Sequence, residues 1–215
     1  MEAEHRDRAL AWLDLRRDAV FNKIPIARRR YYLEHALAAG EKAAANLPHR
    51  DLERLYAEND ISIKLATHGG VFFSARLRAQ LEYSKAQRRR QVTLYQPSLD
   101  SLRASCAQMG YAMSEREIIH IHLAHEFFHF LEHHHYQPVP ATLDKVCHFA
   151  FGPWRSYATV MATSEIAAHR FCQHLNGLPF YPSWFDWLWL IDNGKCTAQQ
   201  RDALLAAAWN ELQQI

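Results

Sequence analysis

Apolar residues recur at helical spacing from the start of the chain, where Leu10, Trp12, Leu13, Leu15, Ala19 and Val20 stand among charges between Glu2 and about Asn22. Pro25 punctuates, and a second helical pattern runs from about Ile26 to Asn46, ahead of Pro48. Together they predict an N-terminal helical extension over residues 1–48, followed by one domain over residues 49–215. Asp51 to Ala57 reads as a short helix. The period then changes to two in Ile61-Ser62-Ile63-Lys64-Leu65. Gly69-Gly70 signals a turn and Val71 to Leu77 resumes with β-type residues, which predicts a hairpin. A charged connection through Gln87 to Arg90 leads to a third predicted strand, Gln91 to Tyr95, closed by Pro97.

Helical patterning returns from Ser98 to Met109 and stops at Gly110. Ser114 and Glu117 then have the spacing of a capping box, opening a segment that meets neither Pro nor Gly until Pro138 and so predicts a helix to about His135. Ile118, Ile119, Ile121, Leu123, Ala124, Phe127, Phe128, Phe130 and Leu131 cover most of its circumference, the pattern of a buried helix. The stretch from there to Pro153 reads as a long loop, a candidate rim for a cleft. A helix from about Ser156 to Asn176 follows, ended by Gly177 and Pro179, then a Trp-rich tail (Trp184, Trp187, Trp189) and a last helix from about Thr197 to Gln214. The predicted class is α+β, mainly helical, with a small three-stranded sheet.

Composition narrows the partners. With 215 residues, 49% of them hydrophobic, the chain can build a sizeable core, and a formal charge of +2 gives no electrostatic case for a nucleic acid or a membrane surface. Arg28-Arg29-Arg30 and Arg88-Arg89-Arg90 read as solvated faces. Cys106, Cys147, Cys172 and Cys196 form no CxxC pair and are expected as free thiols. The start Met1-Glu2-Ala3-Glu4-His5 has no apolar signal region, and no stretch approaches the roughly 18 apolar residues of a membrane span. The expected setting is a reducing cytoplasm.

The candidate chemistry lies in the buried helix. His125-Glu126-Phe127-Phe128-His129 is an HExxH pattern, and residues four apart share a helical face, so both imidazoles can grip one ion. His125 and His129 are thereby candidate zinc ligands, and Glu126 the general base that takes a proton from the attacking water. A catalytic zinc needs a third protein ligand, and Glu165 on the next long helix is the candidate. His135 competes for that role, ten residues after His125 as in the metzincin pattern. That pattern turns at a Gly where this chain has Glu132, and a continuing helix carries His135 some 15 Å along the axis. His122 and His133 share the helical side of the motif, while His120 and His134 point elsewhere. His169, one turn beyond Glu165, and Tyr157, two turns before it on the predicted helix, are candidate oxyanion donors.

Leu123-Ala124-His125-Glu126-Phe127-Phe128-His129, then Glu165-Ile166-Ala167-Ala168-His169-Arg170-Phe171 with Leu175 and Pro179 behind it, placed after a small predicted sheet, resembles the ImmA/IrrE-type metallopeptidases, minimal gluzincins. The similarity spans roughly Asp51 to Pro179. It implies a zincin-like domain and a cytoplasmic zinc endopeptidase acting on a protein substrate, typically a transcriptional repressor. By motif position His125, His129 and Glu165 are the zinc ligands and Glu126 the base. The chain departs at His169, where the family commonly has Asn or Asp, and at Phe127, where it has a small residue. The rival expectation is a zinc-binding regulatory protein that acts through partner binding without turnover. Substrate is expected to add as a strand to Val71–Leu77 or Gln91–Tyr95.

Overall fold

A computed structural model describes residues 1–72, 75–84 and 89–215. Helix α1 (Ala3–Arg16) buries Leu10, Trp12 and Leu15, and a short 3-10 turn (Phe21–Lys23) leads to α2 (Ile26–Ala45). Helix α3 (Leu52–Glu58) starts where the Asp51 carboxylate accepts from the Arg54 N–H at 3.1 Å. Strands β1 (Ile61–Ala66), β2 (Gly70–Phe72), β3 (Ala75–Leu77), β4 (Ala79–Ser84) and β5 (Arg89–Tyr95) follow. Beyond them lie α4 (Gln96–Gln108), α5 (Glu115–His134), α6 (Val139–Thr142), β6 (Val146–Phe151), β7 (Trp154–Ala158), α7 (Ala162–Asn176), α8 (Trp184–Asp192) and α9 (Ala198–Gln213). The chain is α+β and mainly helical.

The three-stranded sheet is present with one strand exchanged. Its order is β1-β5-β4, with β5 parallel to β1 and antiparallel to β4. The hairpin expected between Ile61–Leu65 and Val71–Leu77 does not form, because β1 pairs with β5 while β2 and β3 pair with each other in a separate ribbon. Phe73 and Ser74 of that expected strand, and Lys85 to Arg88 of the expected connection, lie outside the described residues. The third strand is β4, whose Ala79-Gln80-Leu81-Glu82-Tyr83-Ser84 alternates apolar and polar with the period of a half-buried strand.

The stretch expected as a loop up to Pro153 holds α6 and the first strand of a β6–β7 hairpin. Gly152, at φ 55°, and Pro153 make its turn, and the second strand consumes the residues predicted to begin the next helix. Helix α7 therefore starts at Ala162 instead of Ser156.

One core runs through the molecule, from Leu10 and Trp12 of α1 through Phe127 and Phe128 of α5 and Phe171 of α7 to Leu212 of α9. It crosses the boundary expected near residue 48. At Gly40 the backbone of α2 closes directly on α7, where an added Cβ would lie 2.3 Å from the Ala167 carbonyl oxygen and 2.9 Å from the Phe171 nitrogen. Only a residue without a side chain permits that approach. Helix α1 packs on α9, with the Trp12 indole N–H donating to Glu211 at 2.9 Å.

Candidate metal centre

Helix α5 is positioned at its start by the capping box that the sequence predicts. The Ser114 hydroxyl accepts from the Glu117 N–H at 3.2 Å, and the Glu117 carboxylate accepts from the Ser114 N–H at 2.7 Å. Ile118, Phe127, Phe128 and Phe130 are buried and fix its rotation about the axis. That rotation leaves His125, Glu126 and His129 lining a cavity of about 1150 Å³, walled also by β4, by the start of α7 and by the end of α1.

Glu165, from the first turn of α7, meets both histidines there. His125 Nε2 and His129 Nε2 are 3.1 Å apart, and each lies 3.3 Å from one oxygen of the Glu165 carboxylate. A tetrahedral ion with bonds of about 2.0–2.1 Å spaces its ligand atoms about 3.3 Å apart. The three side chains therefore fit one cation, and together they can hold a metal ion. His135 is not part of the cluster. The helix continues to His134 as Glu132 predicts, and His135 at its cap reaches Asn59 at 3.3 Å instead.

The charge balance points the same way. Burial pushes the His129 imidazole down, but Glu132, Glu165 and Glu126 around it raise it to about 10. Burial likewise works to raise the Glu165 carboxyl, and His125 and His129 overcome it, holding the group far below the usual carboxylate range. Glu165 therefore stays ionised beside both imidazoles, an anionic partner that a cation can take up.

Glu132 is the residue that the sequence reading misses. It is 2% exposed and accepts from His129 Nδ1 at 3.2 Å, from the Val139 N–H at 2.7 Å and from the Ser164 hydroxyl. A carboxylate on the far nitrogen of a metal-ligating imidazole fixes its tautomer and ring orientation. The available signal was a glutamate three residues past His129, on the same side of the helix.

Glu126 faces the sheet, where its carboxylate accepts from the Leu81 N–H of β4 at 2.9 Å. His169 lines the cavity, with its ring 5.0 Å from that of His125, and its Nδ1 donates to Asp14 of α1 at 3.2 Å. Burial lowers the His169 pKa, and the Asp14 carboxylate more than offsets it, so the imidazole stays above its ordinary value. The N-terminal helix therefore supplies Asp14 to the site and Arg17 to its rim.

Tyr157 is not brought to the cluster. It sits exposed on β7, opposite Cys147, because the residues expected to carry it on the Glu165 helix form a strand. His122 is absent from the cavity lining and bonds the Ile118 carbonyl at 2.8 Å, whereas His133 and His134 line the cavity. His134 also stacks on Phe130, and His120 pairs with Glu53 at 2.9 Å.

The described cysteines are free thiols, with burial pushing Cys106 up to about 11 and Cys172 to about 12. Among the described residues no helix is long and apolar enough to cross a membrane. No family model, no curated protein and no solved structure matches the chain.

Proposed function

We propose that this protein is a zinc-dependent endopeptidase with a zincin-like site of the ImmA/IrrE kind, cleaving a protein substrate in the cytoplasm, with a transcriptional repressor as the first candidate. The observation that carries the reading is the near-tetrahedral spacing of His125, His129 and Glu165, with Glu126 beside them and a strand edge alongside. Zinc held by these three side chains supplies Lewis acidity, lowering the pKa of water and polarising a carbonyl. Glu126 takes the proton from the attacking water and passes it to the leaving amine. His169, with its Nδ1 on Asp14, lines the cavity where a donor can stabilise negative charge developing on the carbonyl oxygen. Asp14 and Glu132 are positioning residues that hold His169 and His129.

The substrate edge is revised from the expected strands. Strand β5 lies between β1 and β4, and Thr93 on it is buried, so Gln91–Tyr95 offers no edge. Strand β4 pairs only with β5 among the described residues, and the Leu81 N–H on its other side already reaches into the cavity. An extended peptide adds there, with its main chain paired to β4 and its scissile bond beside Glu126.

Metal analysis of the purified protein beside a Glu126→Gln variant tests this. The expected result is about one zinc per chain in both, with hydrolysis of candidate repressors lost only in the variant. Zinc in both with no cleavage by the unaltered chain, despite binding of the repressor, replaces the peptidase with a metal-containing partner-binding protein.

A further inference from the structure

The β6–β7 hairpin carries an uncovered aromatic face. Across it Phe151 pairs with Trp154 and Phe149 with Ser156, so the alternation of a strand sets Phe149, Phe151 and Trp154 on one side. These rings are 56%, 74% and 75% exposed. Both strands pair only with each other among the described residues, so two main-chain edges are also open. A two-stranded ribbon with nothing packed on its apolar face gains little stability from that face, which points to a role in contact with another molecule.

The base of the hairpin is firm and borders the cleft. Val146 is buried, the Tyr32 hydroxyl donates to the Asp144 carbonyl at 2.9 Å, and β6 rests on the 3-10 turn behind α1. Three residues beyond β7, Met161 is exposed and lines the cavity that holds His125 and Glu126. Six residues of strand span roughly 17–20 Å, so the aromatic tip lies within reach of one extended peptide whose other part occupies the cleft. From Lys145 to Ser164 the chain has no acidic residue. Arg155, opposite Ala150, is on the ribbon's other side, so a strand added at an open edge meets the rings with one set of alternate side chains and Arg155 with the other.

We propose that the β6–β7 ribbon is an exosite, docking an extended apolar and acidic segment of the same protein substrate whose scissile bond enters the cleft. This rests on the peptidase reading above and names what selects its substrate. Area argues against a second copy as the occupant. Three aromatic side chains exposed to this degree offer roughly 400 Å², against about 800 Å² per partner in a stable dimer. That patch suits a transient substrate whose remaining contact is the cleft.

The test uses the full chain carrying Glu126→Gln and fluorescently labelled peptides of about twelve residues. One has a cleft-binding half followed by a Phe-, Leu- and Glu-containing half; in others Ser replaces the apolar residues or Lys replaces Glu. A peptide of only the cleft-binding half serves as control. Phe151→Ser with Trp154→Ser is expected to weaken the first peptide about tenfold and leave the short one unchanged, and Arg155→Glu to reverse the preference between Glu and Lys peptides. With Glu126 restored, KM for the long peptide rises by the same factor at constant kcat, as for lost uniform binding.

Equal binding of all long peptides by both proteins overturns the proposal. So does an Arg155→Glu variant that keeps the original preference. Sedimentation of the parent, but not of the double variant, with phosphatidylserine vesicles overturns it in favour of a membrane surface, and a dimer abolished by the double variant does so in favour of self-association. The binding measurements need no turnover. Peptide discrimination without hydrolysis by the unaltered chain therefore removes the peptidase reading alone, and hydrolysis without discrimination removes the exosite alone.

Discussion

Glu132 holds the Nδ1 side of His129 at 3.2 Å, which leaves His129 Nε2 as the nitrogen that faces His125 and Glu165. The carboxylate is buried and also accepts from the Val139 N–H and the Ser164 hydroxyl, so three separate elements converge on one imidazole orientation. Replacing it with Gln keeps the volume and removes the charge. Glu132→Gln is expected to lower zinc affinity about 10–100-fold, read by competition with a chelator. Unchanged affinity in a folded variant would reduce Glu132 to a structural carboxylate.

Glu165 and His135 give opposite expectations. Glu165→Ala removes one corner of the ligand triangle and should cost at least about 100-fold in zinc affinity and all hydrolysis. His135 has its contacts with Asn59 and the Phe130 ring on the far side of the helix end, so His135→Ala should leave zinc content and turnover near those of the parent. Metal content and cleavage rates for the two variants decide the matter, and the reverse pattern would discard Glu165 as a ligand.

Gly40 tests how tightly the N-terminal helices are tied to the site. A methyl group there would meet the backbone of α7 at 2.3 Å, and neither backbone has a flexible end to give way. Gly40→Ala should therefore destabilise the fold by about 2–3 kcal/mol and, by shifting the helix that carries Glu165, lower zinc affinity as well. Chemical unfolding and zinc titration provide the two readings. A variant as stable as the parent would show that the helices can separate at no cost.

His122 sets a pH dependence separate from the metal. Burial, helped by the positive charge of Arg78, lowers its pKa from 6.5 to about 4, so the folded protein keeps it neutral where the unfolded chain protonates it. Between those two values the unfolded state binds more protons. Stability from this group is thus fully present above about pH 6.5 and is lost as pH falls toward about 4. From about pH 7.5 to about pH 5 the parent should lose about 2 kcal/mol more than His122→Gln. Urea unfolding of both proteins with chelator present measures the difference; parallel losses would mean that His122 is not held neutral.

The histidine pair of the candidate metal centre was legible because its spacing is local. Ligands four apart on a helix, a capping box at Ser114 and a buried circumference are all set by helical periodicity, which sequence carries directly, and the continuing helix at Glu132 dismissed His135 by the same rule. Local signals exist for two further features. Strand β4 alternates over six residues beside a charged connection that masks it, and Gly152-Pro153 marks the turn of a hairpin whose second strand has the apolar spacing of a helix start.

Other decisions belong to tertiary structure alone. Pairing β5 with β1 in parallel and β4 in antiparallel fashion requires hydrogen bonds between segments far apart in the chain, and only that pairing makes β4 the edge beside Glu126. Asp14 reaches His169 across 155 positions because α1 and α2 pack against the same helix, a packing that depends on the space left by Gly40. By itself the sequence determined the long helices α2, α4, α5 and α9 to within a few residues and the candidate ligand pair on α5, since these follow from short-range spacing; Glu165 came from the need for a third ligand and from the motif resemblance. Which strand forms the edge, which carboxylates orient the histidines and whether the N-terminal helices join the site were decided only when distant surfaces came together, because burial and complementarity between elements have no period along the chain.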